Sequence, residues 1–292
     1  MSEKSSIGWT DATWNPVLGC SKISPGCKKC YAIPQVHRLA GNPNPKVKAA
    51  NAGLTVINGN GPNWTGKVRL VEERLDIPLR NRRPTTYFVN SLSDWLHESL
   101  DFPTINKLWL TMRACQQHRF QLLTKRAERL PEFVRWTYRG SDHQAHAERA
   151  ASNVWLGVSV ESREYLSRID HLRQTPAAVR FLSLEPLLED LGTVDLTGIH
   201  WVIVGGESGP EARPMHPDWV RSIREQCIAA GVPFFFKQNG EYVSVSEVEG
   251  RGAHYTFPDG VTVRKVGKKK AGRTLDGRTW DEMPNSKGQA AC

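Results

Sequence analysis

Apolar runs recur along this chain, and most are followed by a stretch with helical periodicity. The runs are Thr13–Leu18, Thr86–Asn90, Arg119–Thr124, Val154–Val160, Val179–Leu184, His200–Gly205 and Val232–Lys237. Helices are expected over 31–40, Phe102–His118, Ala127–Tyr138, 162–173 and Pro217–Ala230, the second with an apolar face at Ile105, Leu108, Trp109 and Met112. Residues 41–66, rich in Gly, Asn and Pro, read as a long loop, and 139–152 as a polar loop or insertion. Strand-then-helix alternation with apolar strands predicts an α/β fold, its sheet mostly parallel and covered on both faces. Gly205-Gly206-Glu207-Ser208-Gly209 lacks the G-x-G-x-x-G of a dinucleotide fold. A complete or partial (β/α) barrel is therefore predicted, with a flavodoxin-like open sheet as the alternative.

The rhythm stops after Gly240. Tyr242–Val245, His254–Phe257 and Val261–Val263, with Pro258-Asp259-Gly260 as a turn, predict a β-hairpin appendage. The expected division is a barrel over 1–240 and an appendage with a basic tail over 241–292. Arg264, Lys265, Lys268, Lys269, Lys270 and Arg273 form either a solvated tail or a phosphate-binding strip.

In a parallel barrel the chemistry gathers at the C-terminal ends of the strands. Those ends carry Cys20, Asn90, Lys125 with Arg126, Glu161, Glu185, Gly205-Gly206-Glu207 and Lys237. Carboxylates there suit an amino group or ribose hydroxyls, and Lys and Arg suit a carboxylate or phosphate. The two glycines allow a ligand close to the backbone.

Half of the six cysteines fall in one short stretch, as Cys20-x6-Cys27-x2-Cys30. Thiolates suit iron–sulfur clusters and zinc. Gly19, Pro25 and Gly26 supply bends that can bring Cys20 round to the other two. Structural zinc closes with four ligands, whereas three sulfurs around a [4Fe–4S] cluster leave one iron open. The cluster is the preferred reading. A Cys3His zinc knot using His37 or a distant histidine competes with it, as do three unliganded thiols. Cys115 and Cys227 read as buried apolar residues, and they and Cys292 lack ligand spacing.

The net charge of +9 favours polyanionic partners, nucleic acid first. The cysteine pattern is not a secreted disulfide framework, Met1–Ser6 has no apolar signal core, and no apolar run approaches the ~20 residues of a membrane span. A cytoplasmic chain with reduced thiols and no membrane partner is expected.

Several motifs together carry a resemblance: Trp9-Thr10-Asp11-Ala12-Thr13-Trp14-Asn15-Pro16, the cysteine cluster ending Cys30-Tyr31-Ala32, Phe88-Val89-Asn90-Ser91, Leu122–Arg126, Val154–Glu161, Glu185-Pro186-Leu187 and Trp201–Gly209. Over residues 6–284 they resemble a three-cysteine family of unknown function common in bacteriophages and prophages, itself similar to divergent radical S-adenosylmethionine (radical SAM) enzymes. The resemblance implies a partial β/α barrel whose Cys20, Cys27 and Cys30 hold a [4Fe–4S] cluster. In that superfamily the open iron takes the methionine end of S-adenosyl-L-methionine, and one electron yields a 5′-deoxyadenosyl radical that abstracts hydrogen. The chain departs from the usual pattern in its six-residue first gap, in Lys29 before the last cysteine, and in a Gly-Gly-Glu after a late strand.

On this reading Asn90, Glu161, Glu185, Gly205, Gly206 and Glu207 are cofactor contacts, and Lys125, Arg126 and Lys237 face an anionic substrate. The expected substrate is a nucleic acid or nucleotide, modified or repaired in a bacterial host's cytoplasm. The electron donor would be of flavodoxin or ferredoxin type. Two alternatives stand beside it: a nucleic-acid-binding protein with a structural zinc or iron–sulfur site, and a metal-dependent hydrolase using Asp94, His97 and Glu98. That trio would share one helical face, unless Ser93 or Asp94 simply caps a helix.

Overall fold

The computed structural model describes residues 3–5, 7–59, 61–139 and 151–284. Two compact units divide the chain: Met1–Val158 with Gln174–Ala178, and Ser159–Arg173 with Val179–Cys292.

The first unit holds, in order, β1 (Glu3–Lys4), β2 (Ala12–Thr13), β3 (Val17–Leu18), α1 (Ala32–Ala40), α2 (Pro45–Asn51), β4 (Thr55–Asn58), β5 (Gly61–Trp64), β6 (Arg69–Leu70), α3 (Ile77–Arg80), β7 (Thr86–Val89), α4 (Phe102–Ala114), β8 (Arg119–Thr124), α5 (Arg129–Thr137) and β9 (Val154–Ser159). β2, β7, β8 and β9 pair side by side in parallel, and β1 adds antiparallel to β2. Successive residues of a strand point to opposite faces. In register, Tyr87 stands beside Phe120 and Val89 beside Leu122 on one face; Phe88 stands beside Gln121 on the other. The Tyr87 and Phe120 rings stack at 5.5 Å. Trp9 meets Phe88 edge-on at 4.9 Å, and its carbonyl accepts from Gln121 Nε2 at 3.3 Å.

Helix α4 begins where Asp101 Oδ1 accepts from the Thr104 amide at 2.9 Å, and it buries Ile105, Leu108, Trp109 and Met112 as their spacing predicts. It stops at Ala114, short of the expected His118. His118 turns inward instead, its Nε2 lying 2.8 Å from the Asn81 carbonyl.

The expected first strand, Thr13–Leu18, is broken. Ala12–Thr13 joins the parallel strands, while Val17–Leu18 pairs antiparallel with Arg69–Leu70. Pro16 lies between them and has no N–H to offer a ladder. The 41–66 stretch is likewise not a plain loop. Asn44 Oδ1 caps α2 by accepting from Lys46 and Val47, with Pro45 at its first position, and β4 and β5 form a hairpin. A small core of Leu18, Ala32, Val36, Leu54 and Leu92 holds this excursion together, with Leu39, Ala50 and Trp64 against it.

The second unit holds α6 (Ser167–Arg173), β10 (Val179–Leu184), β11 (Trp201–Gly205), α7 (Pro217–Ala230), β12 (Phe234–Gln238), β13 (Tyr242–Ser244), β14 (His254–Thr256), β15 (Thr262–Lys265) and α8 (Lys268–Ala271). β10, β11 and β12 are parallel and consecutive. The expected hairpin is present as β14 and β15, and β13 pairs with β15 to make a three-stranded antiparallel sheet. The basic segment falls on β15 and α8, with Arg273 just after α8. The 139–152 expectation lies mostly outside the described residues, as does Cys292.

Strand order follows the chain in each unit, β1-β2-β7-β8-β9 in the first and β10-β11-β12 in the second. The fold is α/β, and of the two barrel forms expected it has the partial one. No described helix is long and apolar enough to cross a membrane.

Candidate metal centre and strand-end residues

The cysteine loop leaves β3 through Gly19, whose φ is +89°. A Cβ there would fall 2.2 Å from the Lys67 carbonyl oxygen, so glycine is required to bring Cys20 past the chain. Pro25–Cys27 form a 3-10 turn, with the Cys27 amide donating to the Ser24 carbonyl at 2.9 Å. Cys30 lies two residues before α1. All three thiols are partly exposed, while Cys115 and Cys227 are buried.

The three sulfurs act on one another. Burial pushes the Cys20 thiol up to about 12; Asp94 adds to this, Arg126 opposes it, and Cys30 and Cys27 both contribute upward. Burial likewise raises Cys30, Cys27 adds to it, and the Ala32 and Ile33 amides and Lys125 pull it back. A metal binding here must displace protons. Two cations from the end of β8, Lys125 and Arg126, are thus set against two of the three sulfurs. That donor set, three thiols with amides and cations placed for their negative charge, fits a cysteine-bound iron–sulfur cluster.

A single zinc ion would need its donors close together. At a Zn–S distance near 2.3 Å, tetrahedral sulfurs stand only ~3.8 Å apart. Among the described residues no three His, Cys, Asp or Glu side chains are grouped to hold one ion. His37, the suggested fourth ligand, has its Nδ1 3.1 Å from the Thr55 hydroxyl.

Arg126 is the hub of a polar network. Its Nη1 lies 3.8 Å from Cys20 Sγ and 3.2 Å from Asp94 Oδ2. Its Nη2 donates to Ser21 Oγ at 2.6 Å, and its Nε donates to Glu98 Oε2. Asp94 is fully engaged, accepting from Leu96 N, Thr124 Oγ1 and Lys125 N as well. His97 Nδ1 accepts from the Ser99 amide at 3.1 Å, so the ring proton sits on Nε2, which donates to Ser21 Oγ at 2.9 Å. Burial and Arg126 lower the His97 pKa, in keeping with a neutral ring. Both ring nitrogens are used, so the Asp94, His97 and Glu98 group braces the cysteine loop rather than presenting free ligands.

Glu98 gives a pH test of this brace. Burial would raise its pKa, but the Arg126 hydrogen bond and charge and the Ser21 hydroxyl outweigh it and hold it at about 2, below the usual 4.5. A depressed carboxyl contributes stability that is present above its unfolded pKa and is lost as pH falls through the folded one. The Glu98→Gln variant is therefore expected to be less stable than wild type at neutral pH. The gap should narrow below pH 4.5 and close near pH 2, as read by urea unfolding across pH. A gap that persists unchanged at pH 2 would place its cause elsewhere.

Asn90 follows β7 and is 4% exposed, yet neither Oδ1 nor Nδ2 has a hydrogen-bond partner in the described structure. Gln121, beside Phe88 on the neighbouring strand, is fully buried, and its Oε1 also lacks one. Buried amides without partners are costly, which makes this face of the first unit a place for a polar ligand or ordered water.

In the second unit the three strand-end glutamates each have a cationic partner. Glu161 is fully buried, and its Oε2 accepts from Arg168 Nη1 at 2.9 Å. Glu185 accepts from Lys237 Nζ at 2.7 Å and from Gln238 Nε2 at 3.1 Å. Glu207 accepts from the Arg213 amide at 2.9 Å and from its Nε at 2.8 Å. Lys237 reaches Glu185 because the register shifts there: Val204 pairs with Phe236 and Gly205 with Gln238, leaving Lys237 as the extra residue of a bulge. A Cβ on Gly206 would fall 2.1 Å from the Asn239 carbonyl oxygen, so a close backbone crossing demands that glycine. A Cβ on Gly205 would press the Glu185 carboxyl at 3.3 Å.

The first unit carries Cys20, Cys27 and Cys30 on one loop, with Arg126 reaching Cys20 and Lys125 next to it in the chain; the second brings Glu185, Lys237 and Gly205 together. Glu161 and Glu207 sit in separate ion pairs. Sequence reading missed Ser21, Arg168 and Arg213. Arg168 lies seven residues beyond Glu161, on α6, while Glu161 precedes that helix, so neither Arg168 nor Ser21 leaves a spacing signal in the sequence.

Comparison with solved structures returns spore photoproduct lyase. Its complex with dinucleoside spore photoproduct superposes with a TM-score of 0.41 and 11% identity, covering 91% of this chain and 71% of that one. A variant with bound AdoMet and dinucleoside spore photoproduct gives 0.42, 11%, 91% and 71%. A cysteine-to-serine variant gives 0.43, 11%, 91% and 71%. No curated protein matches the chain in sequence. Residues 4–284 match the family described as "Protein of unknown function (DUF5131)", and the chain belongs to that family.

Proposed function

We propose that this protein is a radical-SAM-like enzyme that modifies or repairs a nucleic acid or nucleotide. Cys20, Cys27 and Cys30 would hold a [4Fe–4S] cluster, and S-adenosyl-L-methionine would be the second cofactor. Such a cluster supplies one electron to the sulfonium of the cofactor, which opens hydrogen abstraction at an unactivated carbon. The chain's own part is to hold and shield that chemistry. Arg126 and Lys125 offset negative charge at Cys20 and Cys30. Asp94, Glu98 and Ser21 fix the guanidinium in place. Asn90, with both amide atoms unsatisfied, is the best-placed contact for a polar ligand. Glu161, Glu185, Gly205, Gly206 and Glu207 remain candidates for the cofactor, and Lys237 for an anionic group once Glu185 releases it.

One observation carries the reading: three partly exposed thiols share a single short loop, and the Arg126 guanidinium stands 3.8 Å from the sulfur of one of them. Anaerobic reconstitution with iron and sulfide tests it. The expected result is a visible charge-transfer band, an electron paramagnetic resonance signal on reduction, and reductant-dependent release of 5′-deoxyadenosine. A reconstituted cluster that never cleaves the cofactor removes the radical chemistry, and zinc without iron in the purified chain replaces it with a structural site.

A further inference from the structure

Between Asp11 and Glu72 the chain has no acidic residue, yet it carries Lys22, Lys28, Lys29, Arg38, Lys46, Lys48, Lys67 and Arg69. These eight charges account for nearly all of the net +9, leaving about +1 for the rest of the chain. The charge is also confined in space. Residues 17–70 run out and back between the paired strands β3 and β6, and they pack on the small core around Leu18, Val36 and Leu54.

Arg69 is used internally, donating to the Ala49, Ala50 and Ala52 carbonyls at the end of α2. Lys22, Lys28, Arg38, Lys46, Lys48 and Lys67 are all exposed. Among the described residues none of these six has an ion-pair partner. Several surface cations elsewhere do sit on carboxylates: Arg80 on Asp76 at 2.8 Å, Lys107 on Glu72 at 2.6 Å, Arg163 on Asp190 at 3.1 Å and Arg173 on Asp195 at 3.0 Å. Like charges kept together without counter-charges repel, and the arrangement suits a polyanion that supplies them. The cysteine loop adds exposed apolar surface between its cations, with Tyr31 56% and Ile23 39% exposed. Cations tracking a backbone beside an exposed ring are the pattern of single-strand binding.

We propose that this acid-free excursion is a nucleic-acid docking arm, with Lys22, Lys28, Arg38, Lys46, Lys48 and Lys67 taking up the phosphate backbone beside the cysteine loop. It rests on the nucleic-acid part of the function proposed above. An acidic protein such as an electron donor is the other polyanion. The spread of cations over a loop, two helices and the chain after a hairpin favours an extended backbone over a compact acidic patch.

The test is fluorescence anisotropy of a labelled single-stranded oligonucleotide with the full chain across a salt series. The Lys46→Glu/Lys48→Glu/Lys67→Glu variant is compared with Lys268→Glu/Lys269→Glu/Lys270→Glu, which changes net charge equally. The first triple is expected to flatten the slope of log affinity against log salt by about 2, and the second to leave it unchanged. Thermal unfolding checks both folds, and a Lys→Gln triple at positions 46, 48 and 67 should flatten the slope in the same direction. Equal loss in both glutamate triples, or no salt-dependent binding by wild type, overturns the proposal. So does oligonucleotide binding that ignores the first triple while reduction by a flavodoxin-type donor is slowed. The readout needs no cofactor cleavage: a chain that binds through these lysines but never cleaves S-adenosyl-L-methionine fails only the radical reading.

Discussion

Alanine at Cys20, Cys27 or Cys30 is expected to strip the reconstituted chain of most of its iron and sulfide, while Cys115→Ala and Cys227→Ala keep theirs. The contrast follows from where the thiols sit. Cys115 and Cys227 are buried one to a helix region, and burial pushes Cys227 up to about 12, a protonated group packed as a small apolar side chain. The three loop thiols are partly exposed and share one another's field. Cys20 is also raised to about 12, so a metal-free loop holds its proton well above neutral pH. Loading must release protons, and iron uptake should therefore quicken as pH rises. Iron and sulfide analysis of all five variants, with uptake followed across pH, checks both parts. Full iron content in any of the three loop variants would remove that residue from the ligand set.

Much of the scaffold was legible because burial imposes period and length. Arg119–Thr124, Val179–Leu184 and Pro217–Ala230 have the bounds that their apolar patterns gave. The excursion was not legible in the same way. Its α2 rests on an Asn-Pro cap, and its β4–β5 hairpin is mostly exposed, so neither leaves a strong hydrophobic signature. The strand-end residues were legible as positions and not as partners. Sequence order marks Glu161, Glu185 and Glu207 alike. Only tertiary packing distinguishes a fully buried carboxylate on Arg168 from one shared with Lys237 and Gln238, or one wrapped by Arg213. Arg126 shows the same limit. Its place beside Lys125 at the end of β8 suggested an anion site, but its reach to a cysteine sulfur depends on a loop more than 100 residues earlier in the chain.

Arg126→Met should then be the most damaging single change to stability, costing about 3–5 kcal/mol. The guanidinium is nearly buried, its side chain 4% exposed, and Asp94 opposite it is 8% exposed. Methionine fills similar space but leaves the Asp94 charge with neutral donors only, and it removes the link from Glu98 and Ser21 to the loop. Arg126→Lys keeps a charge without the planar fork, so it cannot serve Asp94, Glu98, Ser21 and Cys20 together, and its loss should be intermediate. Adding Asp94→Asn to Arg126→Met removes the stranded charge and should recover part of the loss, a coupling that a double-mutant cycle reads directly. Urea unfolding of the metal-free chain measures these three variants and Asp94→Asn alone. A loss below about 1 kcal/mol for Arg126→Met, within the range of an exposed ion pair, would mean that solvent rather than this network satisfies Asp94. The same residue would then lose its standing as the brace that holds Cys20 in place.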